Sequence, residues 1–163
     1  MVAALIISAL CQACPRQDDE SRIRALIAEG AAAAETHDTS AILDLAIAEV
    51  RAMPMDLDRR GIKAVLWRTF NYYGPMRILY PRPVVEVSDA ADAASTSFPF
   101  LLLKKEQPFP AMENLRDDPA AWIKAIGDAA DLYLIRLQWI KQGGDWLVDR
   151  VYLQRYTGGA FGE

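Results

Sequence analysis

The chain holds one histidine, two cysteines and six tyrosines, so the side chains able to do nucleophilic, metal or acid–base chemistry are few. A redox Cys-x-x-Cys needs a strand before it and a helix after it in a parallel βαβ unit, and a zinc site needs further ligands close by. The sequence around Cys11 and Cys14 offers neither. His37 stands before Asp38 in a break between helical patterns, where a loop or capping role outweighs that of a general base, and Asp38 reads as a turn or N-cap residue. There is no Gly-rich phosphate loop, no His-Glu-x-x-His and no nucleophile elbow. Neither a metal nor another cofactor is expected.

What remains is carboxylate and phenol. An isomerase working by proton transfer needs a carboxylate base and a phenol or protonated acid facing each other in an apolar cavity. Tyr72, Tyr73, Tyr80, Tyr133 and Tyr152 supply phenols, while Asp131 at the start of a strand and Asp149 at an inferred bulge are the acids nearest inward positions. Both acids read first as solvated or ion-paired, and no catalytic residue is assigned. The ligand-pocket candidates are Tyr133, Trp139, Tyr80 and Phe100. The alternating face Tyr133, Ile135, Leu137, Trp139, joined by Trp146 and Phe100, is a core face first, with the Tyr133 hydroxyl as a polar contact at its end.

These side chains need elements to hold them. Asp18 and Asp19 cap a helix in which Ile23, Leu26, Ile27, Ala31 and Ala34 recur at helical steps as far as Thr36 or His37. Thr39 or Ser40 starts a second helix, with Ile42, Leu43, Leu45, Ala46 and Ile47 inward, that ends near Met53-Pro54. Asp58 starts a third, stopped by Gly74-Pro75. The period then changes. Residues 77–87 form an edge strand interrupted by Pro81 and Pro83, residues 93–105 a second, and 131–142 and 146–156 a hairpin turning at Gly143-Gly144-Asp145. Trp146 and Val148 differ in parity from Val151 and Leu153, which implies a bulge at Asp149-Arg150. A short helix from Asp118-Pro119 to Ile126 is an insertion between strands, and 158–163 a frayed tail.

At 163 residues, 52% hydrophobic, 25% charged and net charge -4, the composition is that of one domain with a sizeable core. A pI near 5.1 gives no electrostatic reason to expect nucleic acid. Charge is segregated nonetheless. Arg59, Arg60, Lys63, Arg68, Arg77 and Arg82 run without an intervening acid, whereas residues 15–58 are rich in Asp and Glu. The first reading is that the basic third helix pairs with the acidic first two, and the rival is a surface facing anionic lipid or an anionic ligand.

The uncharged run Val2–Leu10 is shorter than the roughly 20 residues of a membrane span but fits the roughly 7–15 of a signal-peptide apolar region. No cation precedes it, which points to a start inside the leader. Ala13-Cys14 followed by a polar stretch resembles the end of a bacterial lipoprotein signal, with Cys14 as the lipidation candidate. Residues 1–14 are then a leader and 15–163 the domain, in the periplasm of the bacterial envelope, either lipid-anchored at Cys14 or released by ordinary secretory cleavage, and touching membrane only through a lipid anchor. If the run is not a signal, the protein is cytoplasmic.

Three features together resemble the nuclear transport factor 2-like (SnoaL-like) superfamily: Arg22-Ile23-Arg24-Ala25-Leu26-Ile27, Glu35-Thr36-His37-Asp38, and Trp139 followed by Gly143-Gly144-Asp145-Trp146-Leu147-Val148. The likeness spans about residues 18–156, apart from the insertion at 117–129. It implies an α+β fold of three N-terminal helices packed on a strongly curved antiparallel sheet, a cone-shaped, cystatin-like roll. Because one fold hosts many functions, the resemblance leaves three. The expected one is a non-enzymatic envelope domain binding a small apolar ligand or a protein partner. The alternatives are a small-molecule isomerase, dehydratase or cyclase, and a homodimeric scaffold using the outer sheet face.

Overall fold

The computed structural model describes residues 15–104 and 130–155, so the expected leader, insertion helix and tail lie outside the described residues. Helix α1 (Pro15–Glu35) buries Ile23 and Ile27 of the expected stripe, with Leu26, Ala31 and Ala34 half-buried and Ala33, which the pattern did not include, buried beside them. It ends on a left-handed residue: His37 has φ 60°, the Asp38 N–H reaches the Ala33 carbonyl at 2.8 Å, and the His37 N–H reaches that of Ala34 at 3.1 Å. That hydrogen-bond pair is the Schellman termination.

The second helix is much shorter than the sequence pattern suggests. α2 (Thr39–Asp44) is capped by the Asp38 carboxylate accepting from the Ala41 N–H, and the residues expected to continue it form strand β1 (Ala46–Met53). Strand β1 pairs in parallel with β6 (Asp145–Arg155), Ala46 opposite Val148 and Ala52 opposite Val151. Ala-Ile-Ala-Glu-Val-Arg-Ala-Met is good helix-forming sequence, yet the edge of β6 would otherwise carry unpaired N–H and C=O groups. A tertiary demand thus overrides local propensity, and two and a half turns of expected helix become the outer strand.

Helix α3 (Arg59–Tyr73) begins with the Asp58 carboxylate on the Gly61 N–H at 2.8 Å and stops at Gly74, φ 60°. The expected interrupted edge strand is two strands, β2 (Met76–Leu79) and β3 (Val84–Val87), both antiparallel to β4 (Ala93–Lys104). Strand β5 (Ala130–Gln142) joins β4 to β6, giving the sheet order β1-β6-β5-β4-β2 with β3 also on β4. The hairpin turns at Gly143 and Gly144, both at positive φ, where an L side chain is strained. Gln138 faces Arg150 while Trp139 faces Val148, so Asp149 is the extra residue of a bulge. The bulge keeps Val148 and Val151 on one face, as the parity shift requires.

The helices cover one face of this curved sheet, and the core between them has two parts. One gathers Ile23, Ile27, Val50, Phe98, Leu137, Trp139, Trp146 and Val148 under α1; the other gathers Phe70, Met76 and Leu102 under α3, with Leu66, Tyr73, Phe100 and Tyr133 around them. At the α1 end a buried carboxylate, Asp19, accepts from Trp146 Nε1 at 2.8 Å and Lys141 Nζ at 2.9 Å, tying the start of α1 to the last hairpin.

Candidate functional site

At the opposite end of the covered face, three elements finish together. Register places Leu102 opposite Asp131, Phe100 opposite Tyr133, and Tyr133 opposite Arg155, so Asp131 and Tyr133 point to the same side of β5, two residues apart. Helix α3 ends above them with Tyr73 on its inner face, one turn beyond the buried Phe70. The Tyr73 hydroxyl donates to Asp131, whose other oxygen accepts from Arg155, and the Tyr133 hydroxyl lies 3.1 Å from that of Tyr73. Phe100 stacks on the Tyr133 ring with centroids 5.4 Å apart, and Lys104 Nζ sits 4.8 Å from the Tyr72 ring and 5.9 Å from that of Tyr73. The polar atoms are therefore carried on an apolar and aromatic floor.

Electrostatics fix the protonation states. Burial pushes the Asp131 carboxyl up, but the Tyr73 phenol, the Arg155 guanidinium and the charge of Lys104 outweigh it and hold Asp131 below the usual carboxylate range. Tyr73 moves the other way: burial, its bond to Asp131 and the neighbouring Tyr133 all push its phenol up, well above an ordinary tyrosine. Near neutral pH the pair is carboxylate and phenol. A phenol has one proton, and that of Tyr73 is given to Asp131, so Tyr133 must donate to Tyr73. The chain of bonds runs Tyr133 to Tyr73 to Asp131, and the Tyr133 oxygen is left with acceptor capacity only.

Sequence reasoning named Asp131 and Tyr133 separately but not their meeting with Tyr73 and Arg155. The available signal was the pair Asp131-x-Tyr133 on one strand face together with a tyrosine on the inner stripe of α3. Of the other pocket candidates, Phe100 is at this cluster, whereas Tyr80 packs against Phe98 under α1 and Trp139 is enclosed in the core, its Nε1 donating to Thr96 at 3.2 Å. Asp149 is paired with Arg150 at 3.6 Å, away from the phenols. His37 does structural work, its ring stacked on Phe70 at 4.7 Å and its Nε2 donating to the Gly74 carbonyl at 2.9 Å.

A separate solvent-open groove of about 390 Å³ lies between α1, α2 and the last hairpin. Arg22 and Asp145 pair across it at 3.1 Å, and it contains none of the pocket candidates. Among the described residues no group of three or more His, Cys, Asp or Glu is placed to hold a metal, and no helix is long and apolar enough to cross a membrane.

No protein-family model matches this sequence, and no curated protein matches it. Solved structures do. A nuclear transport factor 2-like protein with a cystatin-like fold from Novosphingobium aromaticivorans superposes with a TM-score of 0.64 at 16% identity, covering 90% of this chain and 87% of its own. A nuclear transport factor 2-like protein of unknown function from Pseudomonas putida KT2440 gives 0.63 at 17%, covering 84% and 86%. A candidate scytalone dehydratase from Novosphingobium aromaticivorans gives 0.63 at 10%, covering 87% of each chain. At such identities the likeness is one of fold, and it matches the architecture built up above from register and packing. The chain has the nuclear transport factor 2-like, cystatin-like fold: helices laid over one face of a curved, open six-stranded sheet.

Proposed function

We propose that this domain binds a small, largely apolar molecule bearing a hydroxyl or N–H group, at the cluster of Tyr73, Tyr133 and Asp131, without carrying out acid–base chemistry on it. The observation that carries the reading is the direction of the hydrogen-bond chain. Asp131 takes the only proton of Tyr73, and Tyr73 takes that of Tyr133, so the free end is an acceptor resting on Phe100. A few convergent polar atoms on an apolar surface are what small-molecule sites use for orientation. The electrostatics favour binding over proton transfer, because a general base works best when tuned toward the operating pH, and here the carboxylate is pulled down while the phenol is pushed up.

The test compares 2-naphthol with 2-methoxynaphthalene and 2-acetylnaphthalene by saturation-transfer nuclear magnetic resonance. One hydrogen bond contributes roughly 0.5–1.5 kcal/mol, so 2-naphthol should bind roughly 3–10 times more tightly than its methyl ether, and Tyr133→Phe should erase the difference. Equal binding of the three, or preference for the ketone, refutes the proposal. An envelope location stays a proposal resting on residues 1–14. Labelled palmitate should enter the wild-type protein in a Gram-negative host but not the Cys14→Ser variant, and label retained in that variant overturns it.

A further inference from the structure

The outer side of α3 carries a feature that the ligand site does not use. Arg60, Lys63, Ala64, Trp67, Arg68, Asn71 and Tyr72 all lie on the solvent side of the helix, opposite the inward Ile62, Leu66, Phe70 and Tyr73. Trp67 is 66% exposed and Tyr72 69% exposed, large aromatic surfaces left in water. The helix has no acidic residue. Among the described residues the expected pairing of this basic helix with the acidic helices before it is made by one residue, Arg59, whose guanidinium meets Asp44 at 3.3 Å. Arg60, Lys63 and Arg68 make no ion pair among the described residues, although the whole chain has more acids than bases, 22 against 18. Near the end of the helix Lys104 lies over the Tyr72 ring, adding a cation beside the aromatic.

We propose that this face of α3 docks on a membrane surface containing anionic lipid, the helix axis lying in the plane of the headgroups. Charge complementarity selects the partner: three cations on one side of one helix, without an ion pair among the described residues, match a plane of phosphates. A nucleic acid, a polyanion on every side, would meet the acidic remainder of a chain with net charge -4. The two aromatics fit the same surface, because Trp and Tyr have an apolar body and a polar tip and settle at headgroup depth. Docking in this way leaves the inner face of α3, with Tyr73, turned to the sheet, and Tyr72, whose ring meets that of Tyr73 edge-on at 5.0 Å, stands between the ligand site and the membrane contact.

The experiment is sedimentation of the full chain with vesicles of phosphatidylcholine alone or with 30% phosphatidylglycerol added. The N-terminal segment is identical in every variant and cancels from the comparison. Each cation near an anionic surface strengthens binding about fivefold, so Arg60→Gln, Lys63→Gln and Arg68→Gln together should weaken partitioning onto the anionic vesicles about 100-fold. Raising salt should weaken the parent protein in the same sense. In a Trp122→Phe background, tryptophan emission should shift to the blue on binding, and Trp67→Phe should remove that shift while Trp139 and Trp146, both buried, remain. Thermal melting checks that the triple variant is folded, and the salt series on the unmodified protein tests the proposal if it is not. Equal binding to the two vesicle types, partitioning unaffected by salt, an unweakened folded triple variant, or binding to single-stranded DNA as tight as to anionic vesicles would overturn it.

Discussion

Replacing Asp19 by alanine should be among the costliest single changes to a charged residue in this protein. Its carboxylate is buried and accepts from Trp146 Nε1 at 2.8 Å and from Lys141 Nζ at 2.9 Å. Trp146 is only 1% exposed, so its N–H would have no water to turn to, and an orphaned buried donor costs about 1–3 kcal/mol. Lys141 is less constrained, because its side chain is 29% exposed and can turn outward, so the lost ion pair adds at most about 1 kcal/mol. The sum is roughly 1–4 kcal/mol, or about 2–16 °C in Tm at the roughly 2–4 °C per kcal/mol of a domain this size. Urea denaturation followed by tryptophan fluorescence measures it, with the exposed Asp18→Ala as a control expected within about 0.5 kcal/mol. The pH dependence adds a second readout. Burial raises the Asp19 carboxyl, but the bonds from Trp146 and Lys141 and the charges of Lys141 and Arg22 outweigh burial and hold it below the ordinary value of 3.8. A depressed folded value means that the contribution is fully present above 3.8 and is lost as pH falls through the folded value. The gap between wild type and Asp19→Ala should therefore be constant from pH 8 to 5 and shrink below about 4. A loss under 0.5 kcal/mol at pH 7, or a gap that widens in acid, would refute the reasoning.

Three further expectations follow from particular contacts. His37→Ala keeps the left-handed backbone at φ 60° but loses the Phe70 stack and the Gly74 bond, and should cost roughly 1–2 kcal/mol, whereas His37→Gly recovers part of that by removing backbone strain; equal melting of the two would remove the strain argument. Gly30→Ala gains up to about 1 kcal/mol of helix propensity against a Cβ placed 3.2 Å from Leu45 Cδ1, the movable end of a side chain, so denaturation should show a net gain of about 0.5 kcal/mol, and a loss above 1 would mean that Leu45 cannot yield. Asp131→Asn removes the negative charge beside Tyr73, so in a spectroscopic alkaline titration that phenol should ionise closer to its ordinary 10.0 than in the wild type. A raised folded value gives stability present below 10.0 and lost as pH rises through the folded value, so the variant should also lose less of its pH-linked stability in alkali.

Much of the fold was legible because its signals are local. The helical stripes of α1 and α3, the alternation of β5, the Gly143-Gly144 turn and the parity break at Asp149 each reflect a period or a backbone constraint contained within a few residues. The site was half legible. Asp131 and Tyr133 could be placed on one strand face, since alternation puts residues two apart on the same side, but their partners come from the end of α3 and the end of β6, 58 and 24 residues away from Asp131.

The sequence by itself determined the class of the fold, the length of β4 to β6, the bulge, and the capping roles of His37, Asp38 and Asp58. Tertiary structure alone decided that residues 46–53 leave the helical pattern for a parallel strand, because the pairing that rewards it lies on β6, about a hundred residues along the chain. It also decided which way the Tyr73 proton points. Local periodicity reports the free energy of a segment against water, whereas an open sheet edge or an unshared proton is satisfied only by a group that the folded chain brings to it.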